Sequence, residues 1–82
     1  MRIEVLYFAS AREAAGRGAE TLDVPDASTV GDLKPILAAR HPALSRGWGG
    51  LRFAVGERFA ATEGQGLEDG DRVALIPPVS GG

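Results

Sequence analysis

The residues with the clearest chemical potential are the last six, Pro77-Pro78-Val79-Ser80-Gly81-Gly82. Two successive prolines cannot continue a sheet ladder and favour extended backbone, so they should send the chain outward as a short stiff arm. Gly81 and Gly82 carry no Cβ, which lets such an arm thread a narrow channel and lets a partner's backbone approach closely. The arm would deliver a terminal carboxylate to a buried site. A carboxylate resists nucleophilic attack because charge and resonance make its oxygen a poor leaving group. Joined to AMP by an enzyme that consumes ATP, it gains a good one, and sulfur attack on that acyl-adenylate would leave a nucleophilic thiocarboxylate on Gly82. The competing reading is a frayed terminus without chemistry.

Other reactive groups are sparse. The chain has no cysteine, which excludes disulfides, thiolate metal sites and cysteine nucleophiles. His41 has no second ligand near it in sequence and reads as a helix-end residue. Glu68, Asp69 and Asp71 lack the ligand spacing of an EF-hand loop and read as a solvated turn, so no metal site is expected. No nucleophile stands with a base, and a self-contained enzyme is the least favoured class. Arg12 and Lys34 read as surface charges.

These termini and turns must be positioned by a folded domain. Arg2 to Phe8 alternates as a first strand with Ile3, Val5 and Tyr7 inward. Leu6 and Phe8 follow on the other face, where apolar side chains need a cover. Ser10 to Ala15 is alanine-rich, with Ser10 as N-cap and Gly16 as stop, and predicts one or two helical turns. Glu20 to Val24 is a second strand with Leu22 and Val24 inward, ended by Pro25-Asp26. Thr29 and Asp32 form a capping-box pattern, after which Val30, Leu33, Ile36 and Leu37 share a helical face running to Arg40. Pro35 should distort the first turns of that helix, and His41-Pro42 should end it. Ser45 to Gly50 reads as a loop, with Trp48 tucked against the domain. Leu51, Phe53 and Val55 alternate as a third strand, Gly56-Glu57-Arg58 turns, and Phe59-Ala60 makes a short fourth. Glu63 to Gly66 is a second loop. Glu68 to Asp71 is a tight turn, and Arg72 to Ile76 is the last strand, with Val73 and Leu75 inward. This order predicts an α+β fold, a β-grasp sheet wrapped on one main helix, over residues 1–76, with a functional tail at 77–82. Phe8, Phe59 and Ile76 are the candidate partner-binding patch; Phe8 and Ile76 fall out of phase with their strands' inward residues.

Bulk properties agree with one small domain of 82 residues, 44% hydrophobic and 24% charged. A net charge of -2 with scattered basic residues provides no stripe for neutralising phosphates, so nucleic acid is not an expected partner. The apolar run Val5 to Ala9 is too short for a membrane span and no signal-peptide pattern precedes it, which predicts a cytoplasmic protein.

Several blocks together resemble one family: Val5-Leu6-Tyr7-Phe8-Ala9, Ala11-Arg12-Glu13 with Gly16, Thr29-Val30-Gly31-Asp32-Leu33, Asp69-Gly70-Asp71-Arg72-Val73-Ala74 and the terminal Pro-Pro-Val-Ser-Gly-Gly. They are similar to the molybdopterin synthase small subunit, an ubiquitin-like sulfur carrier family. The resemblance implies a β-grasp fold, no bound cofactor, and activation of Gly82 with ATP by an ubiquitin-activating-like adenylating enzyme. It also implies a sulfur donor protein, and entry of residues 77–82 into a large catalytic subunit, in a heterotetramer. There two carriers in succession would convert cyclic pyranopterin monophosphate into the dithiolene of molybdopterin. Pro35 and the Gly47 to Gly50 loop depart from the family pattern and are expected to lie away from the tail. A thiamine-type or tungsten-type carrier, or a protein modifier joined through Gly82, shares the same tail chemistry.

Overall fold

The computed structural model describes residues 1–47, 50–60 and 62–78. Its elements run β1 (Arg2–Tyr7), α1 (Ala9–Ala15), β2 (Ala19–Asp23), α2 (Val30–Arg40), a 3₁₀ helix (Pro42–Gly47), β3 (Arg52–Val55), β4 (Arg58–Phe59) and β5 (Arg72–Ile76). One mixed sheet has the order β2-β1-β5-β3-β4. The first and last strands pair in parallel at its centre, Val5 opposite Val73 and Tyr7 opposite Leu75. β2 is antiparallel to β1 and β3 is antiparallel to β5. This is the β-grasp arrangement that the order of elements predicts.

Alternation determines which face is buried. Ile3, Val5 and Tyr7 of β1, Leu22 of β2, Phe53 of β3 and Val73 and Leu75 of β5 meet Val30, Leu33 and Leu37 of α2 in one core. Leu33 and Leu37 are fully buried and Ile36 lies at the margin. Full burial of one such side chain is worth about 1.5–3 kcal/mol relative to exposure.

The start of α2 is held from two directions. The Thr29 hydroxyl accepts from Asp32 N–H at 3.2 Å, and the Asp32 carboxylate accepts from Thr29 N–H at 2.8 Å. Val30 N–H donates to the Gln65 carbonyl at 2.9 Å and Gly31 N–H to the Glu63 carbonyl at 2.8 Å. With these first-turn donors satisfied, α2 begins at Val30 and runs through Pro35 to Arg40 without a break. Pro35 leaves only the Gly31 carbonyl without its usual helical donor.

β2 and β4 each lie one residue earlier than the sequence reading, so that Arg58 is in β4 and not in the turn, and two further boundaries differ in kind. Phe8, not Ser10, is the N-cap of α1, with extended backbone and no capping side chain, and the Phe8 carbonyl accepts from Ala11 N–H at 2.9 Å. The backbone, already tied to β5 by Phe8 N–H to the Leu75 carbonyl at 3.3 Å, turns directly into the helix through Ala9 at φ 47°. Gly16 is the stop, at φ 74°. The segment read as a loop from Ser45 begins instead inside the 3₁₀ helix, where Ser45 Oγ donates to the Pro42 carbonyl at 2.8 Å. The expected packing of Trp48 lies outside the described residues.

Candidate docking face and tail root

The sheet face opposite α2 is where the register becomes informative. Leu6 stands opposite Ala74, Ala74 opposite Ala54, and Ala54 opposite Phe59. Paired residues share a face. One apolar row therefore crosses four strands, from β1 to β4. A second row holds Ile76 opposite Arg52, and the extended backbone at Phe8 continues the outward parity of β1 beside it. Phe8 and Phe59 are 48% and 58% exposed, so large apolar surface faces solvent at both ends of this band.

Of the three patch residues named from sequence, Ile76 is partly buried and the two phenylalanines are exposed. They do not touch as a cluster, since three strand spacings of ~4.8 Å put β1 and β4 about 14 Å apart. Leu6, Ala54 and Ala74 join them. The sequence marks Leu6 as out of phase, but the alanines carry no local signal; only the long-range pairing of β5 with β3 places them in the row. Arg52 was also missed. Its guanidinium carbon lies 5.6 Å from the Phe59 ring centroid, which gives the apolar band a cationic rim. The next row is polar, with Glu4 opposite Arg72 and a 3.0 Å ion pair between them.

β5 connects this face to the tail. It ends at Ile76 in the second row, and Pro77 and Pro78 follow at once. Pro77 is partly buried and Pro78 exposed. Both line a groove of about 400 Å³ with Ser10, Ala11, Leu44 and Leu51. Val79, Ser80, Gly81 and Gly82 lie outside the described residues, and so does the terminal carboxylate. The expectation that the Gly47 to Gly50 loop is remote from the tail is wrong at one position. A Cβ built on Gly50 would lie 3.0 Å from Pro78 Cγ and 3.2 Å from Cδ, so Gly50 lies against the tail root.

A separate polar cluster lies on the helix side. Glu20 has the same parity as Leu22 and points inward, its side chain 2% exposed. Arg40 Nε donates to Oε1 at 2.8 Å, Arg17 Nη1 to Oε2 at 3.3 Å, and His41 Nε2 sits 2.8 Å from Oε2. Burial works against the carboxylate's charge, but the bonds from His41, Arg40 and Arg17 outweigh it and hold its pKa below the usual range. The Tyr7 ring meets His41 edge-on at 5.7 Å. Burial, and then the nearby Glu20 charge, raises the Tyr7 phenol above its ordinary value. The cluster ties β2 to the end of α2. Lys34 pairs with Glu63 and its ammonium lies 5.9 Å from the Phe53 ring centroid. Among the described residues, no three His, Cys, Asp or Glu side chains are grouped to hold a metal. No described helix is long and apolar enough to cross a membrane.

Known proteins match this chain over its whole length. The ThiS family model matches residues 5–82. The molybdopterin synthase sulfur carrier subunit of Chlamydomonas reinhardtii is 41% identical, with all of both chains covered. The human protein of that name is 37% identical over 99% of this chain and 94% of its own. The crystal structure of SAMP1 from Haloferax volcanii superposes with a TM-score of 0.88 at 34% identity, covering all of both chains. The chain belongs to the ThiS family, on a β-grasp domain whose last core strand joins an exposed apolar face to the root of a Gly-Gly tail.

Proposed function

We propose that this chain is the sulfur carrier subunit of a molybdopterin synthase, and that the catalytic pocket resides on a separate large subunit. The observation that carries the reading is the continuity of β5, whose Ile76 lies in the apolar face and whose next residues are the prolines of the tail. A partner that covers Leu6, Phe8, Ile76 and Phe59 would receive the tail at a fixed place. Full-length likeness to molybdopterin synthase sulfur carriers supports the choice of pathway.

In this reading an adenylating enzyme joins the Gly82 carboxylate to AMP and releases pyrophosphate from ATP. Sulfur at the sulfide level, released from a donor protein, displaces AMP and leaves a thiocarboxylate. Inside the large subunit, the thiocarboxylate sulfur attacks a carbon of the pterin's oxygenated side chain, an oxygen substituent leaves that carbon, and water cleaves the resulting thioester. Gly82 returns as a carboxylate with the water's oxygen, and the sulfur stays on the pterin. A second loaded carrier supplies the second sulfur of the dithiolene, which fits a heterotetramer with two carriers. This domain contributes the docking face and the reach of residues 77–82, with no bound cofactor of its own.

Incubation with the adenylating enzyme, ATP and a sulfur donor tests the first half of this cycle. Intact-mass measurement should find one oxygen replaced by sulfur at the C-terminus. The likeness to SAMP1, which belongs with proteins called small archaeal modifiers, favours a second reading in which Gly82 is conjugated to lysine. Lysine conjugates without sulfur uptake would select that reading.

A further inference from the structure

We infer that the end of the domain from which the tail leaves docks against a carboxylate-lined rim on the large subunit, with Arg52 at the contact and Arg46 and Arg12 attracting that rim from longer range. The inference rests on the sulfur-carrier reading and adds to it the chemistry of the partner's surface.

A net charge of -2 conceals a polarised molecule. β1 and β5 run parallel, so one end of the sheet holds their starts and the other holds Tyr7, Leu75 and the tail root. At the first end Arg2 N–H donates to Asp69 Oδ1 at 2.7 Å, Asp23 stands opposite Arg2, and the Met1 ammonium pairs with Asp26 at 3.1 Å. Glu68 and Asp71 belong to the same turn as Asp69, and the bond from Gly56 N–H to the Arg72 carbonyl at 2.8 Å brings Glu57 to this end. Carboxylates outnumber cations here. At the tail end the balance reverses. Arg52 stands opposite Ile76, Arg46 lines the groove that Pro77 and Pro78 also line, and Arg12 lies beside Gly18, whose carbonyl accepts from Tyr7 N–H at 2.9 Å. Arg17 and Arg40 are bound to Glu20, which leaves Glu13 as the other carboxylate side chain of this end. Among the described residues, Arg12, Arg46 and Arg52 form no ion pair, and all three are exposed. Arg58 is unpaired too, but it stands opposite Val55 at the acidic end.

Distance lets the two ends act separately. A strand of this length spans about 17 Å, roughly twice the Debye length of ~8 Å at physiological ionic strength. A surface that approaches the tail end therefore meets the arginines, with the distant carboxylates screened. Exposed charges add little to final affinity but strongly change the rate of encounter. Arg52 does more than steer. Its guanidinium carbon lies 5.6 Å from the Phe59 ring centroid, and its row includes Ile76. A partner that covers Phe59 and Ile76 must cover Arg52 as well, and a guanidinium taken out of water needs acceptors. A carboxylate accepts from two of its N–H groups at once and neutralises its charge.

The test follows association of the full chain with the molybdopterin synthase large subunit by stopped flow, at ionic strengths from about 0.02 to 0.3 M. Wild-type kon should fall about tenfold over that range. Arg52→Glu should lower kon about tenfold at the lowest salt and flatten its salt dependence, and Arg46→Glu should lower it about threefold. Arg52→Lys keeps the charge and should hold kon within about twofold of wild type. Glu68→Lys changes the charge by the same amount at the acidic end and should shift kon less than about twofold. A merely structural role for Arg52 would lower the melting temperature and leave kon of the folded fraction unchanged, which overturns the inference. So does a wild-type kon that is flat or rises with salt, or a Glu68→Lys effect as large as that of Arg52→Glu, since net charge alone would then act. If Arg52→Glu does not fold, Arg52→Gln provides the same reading with a loss of about threefold. A wild-type chain that binds the large subunit at no salt concentration would defeat the carrier reading itself, a result distinct from any of these.

Discussion

Replacing Glu20 with glutamine should destabilise the domain by about 2 kcal/mol at neutral pH and remove much of its acid sensitivity. The carboxylate is 2% exposed and receives Arg40, Arg17 and His41 at 2.8, 3.3 and 2.8 Å. Hydrogen bonds to charged groups contribute about 1.5–3 kcal/mol each when well shielded. Arg17 and Arg40 are about half exposed, at 51% and 49%, so water and salt screen them and each is discounted to ~0.5–1 kcal/mol. His41, at 16%, is better shielded. Glutamine keeps the shape and one acceptor oxygen, but its NH2 must take the place of Oε1 or Oε2, so either the Arg40 bond or the Arg17 and His41 bonds lose their acceptor. Removing the carboxylate leaves cations that can turn to water, so the larger 3–5 kcal/mol penalty of a stranded buried charge does not apply. A loss of ~2 kcal/mol corresponds to a melting shift of roughly 8–16 °C in a domain this size. The pH dependence follows from the depressed pKa. The unfolded chain takes up the proton first, so this stabilisation is complete above the ordinary glutamate value and is lost as pH falls through the lower folded value. Urea titrations between about pH 7 and pH 3 should show wild type losing stability below about pH 5 and the glutamine variant losing less. Equal stability at pH 7, or parallel curves below pH 5, would refute the reasoning.

Changing Phe8 or Phe59 to aspartate should leave the melting temperature near wild type, because both rings are exposed, and should weaken calorimetric binding to the large subunit by more than ~1 kcal/mol. Unchanged affinity would remove the row from the interface. Leu33→Ala or Leu37→Ala should cost about 2–5 kcal/mol in a denaturant titration, since both side chains are fully buried. Gly16→Ala should cost about 1–2 kcal/mol by the same measurement, through its φ of 74° alone, since nothing lies within 4 Å of the added Cβ. A neutral result there would mean the turn relaxes.

Local patterns in the chain made the fold legible. The alternation of Ile3, Val5 and Tyr7, the Thr29 and Asp32 cap and the spacing of Val30, Leu33 and Leu37 each report a face directly, and their order restricts the topology. Glu20 shows the limit of that reading. Its parity with Leu22 and Val24 marks it as inward, but its charge argues for water, and the cations that resolve the conflict come from the ends of α1 and α2. Ala54 and Ala74 are similar, because small residues gain meaning only from strands that pair across the chain. Ser10 has the right type for a cap, but Phe8 is held to β5 and the helix starts before Ser10 can serve. Gly50 was readable as a turn residue and not as a contact of Pro78, since nothing local relates positions 50 and 78.

The measurement that bears most directly on the carrier assignment couples the two halves of the cycle. The chain is first incubated with the adenylating enzyme, ATP and a sulfur donor, then purified and given to the molybdopterin synthase large subunit with cyclic pyranopterin monophosphate. The account predicts a C-terminal exchange of oxygen for sulfur, a dithiolene product and a carrier returned to its original mass. A chain lacking Gly82 should fold normally and do none of this. A thiocarboxylated chain that yields no dithiolene, but supports thiazole formation, would contradict the assignment.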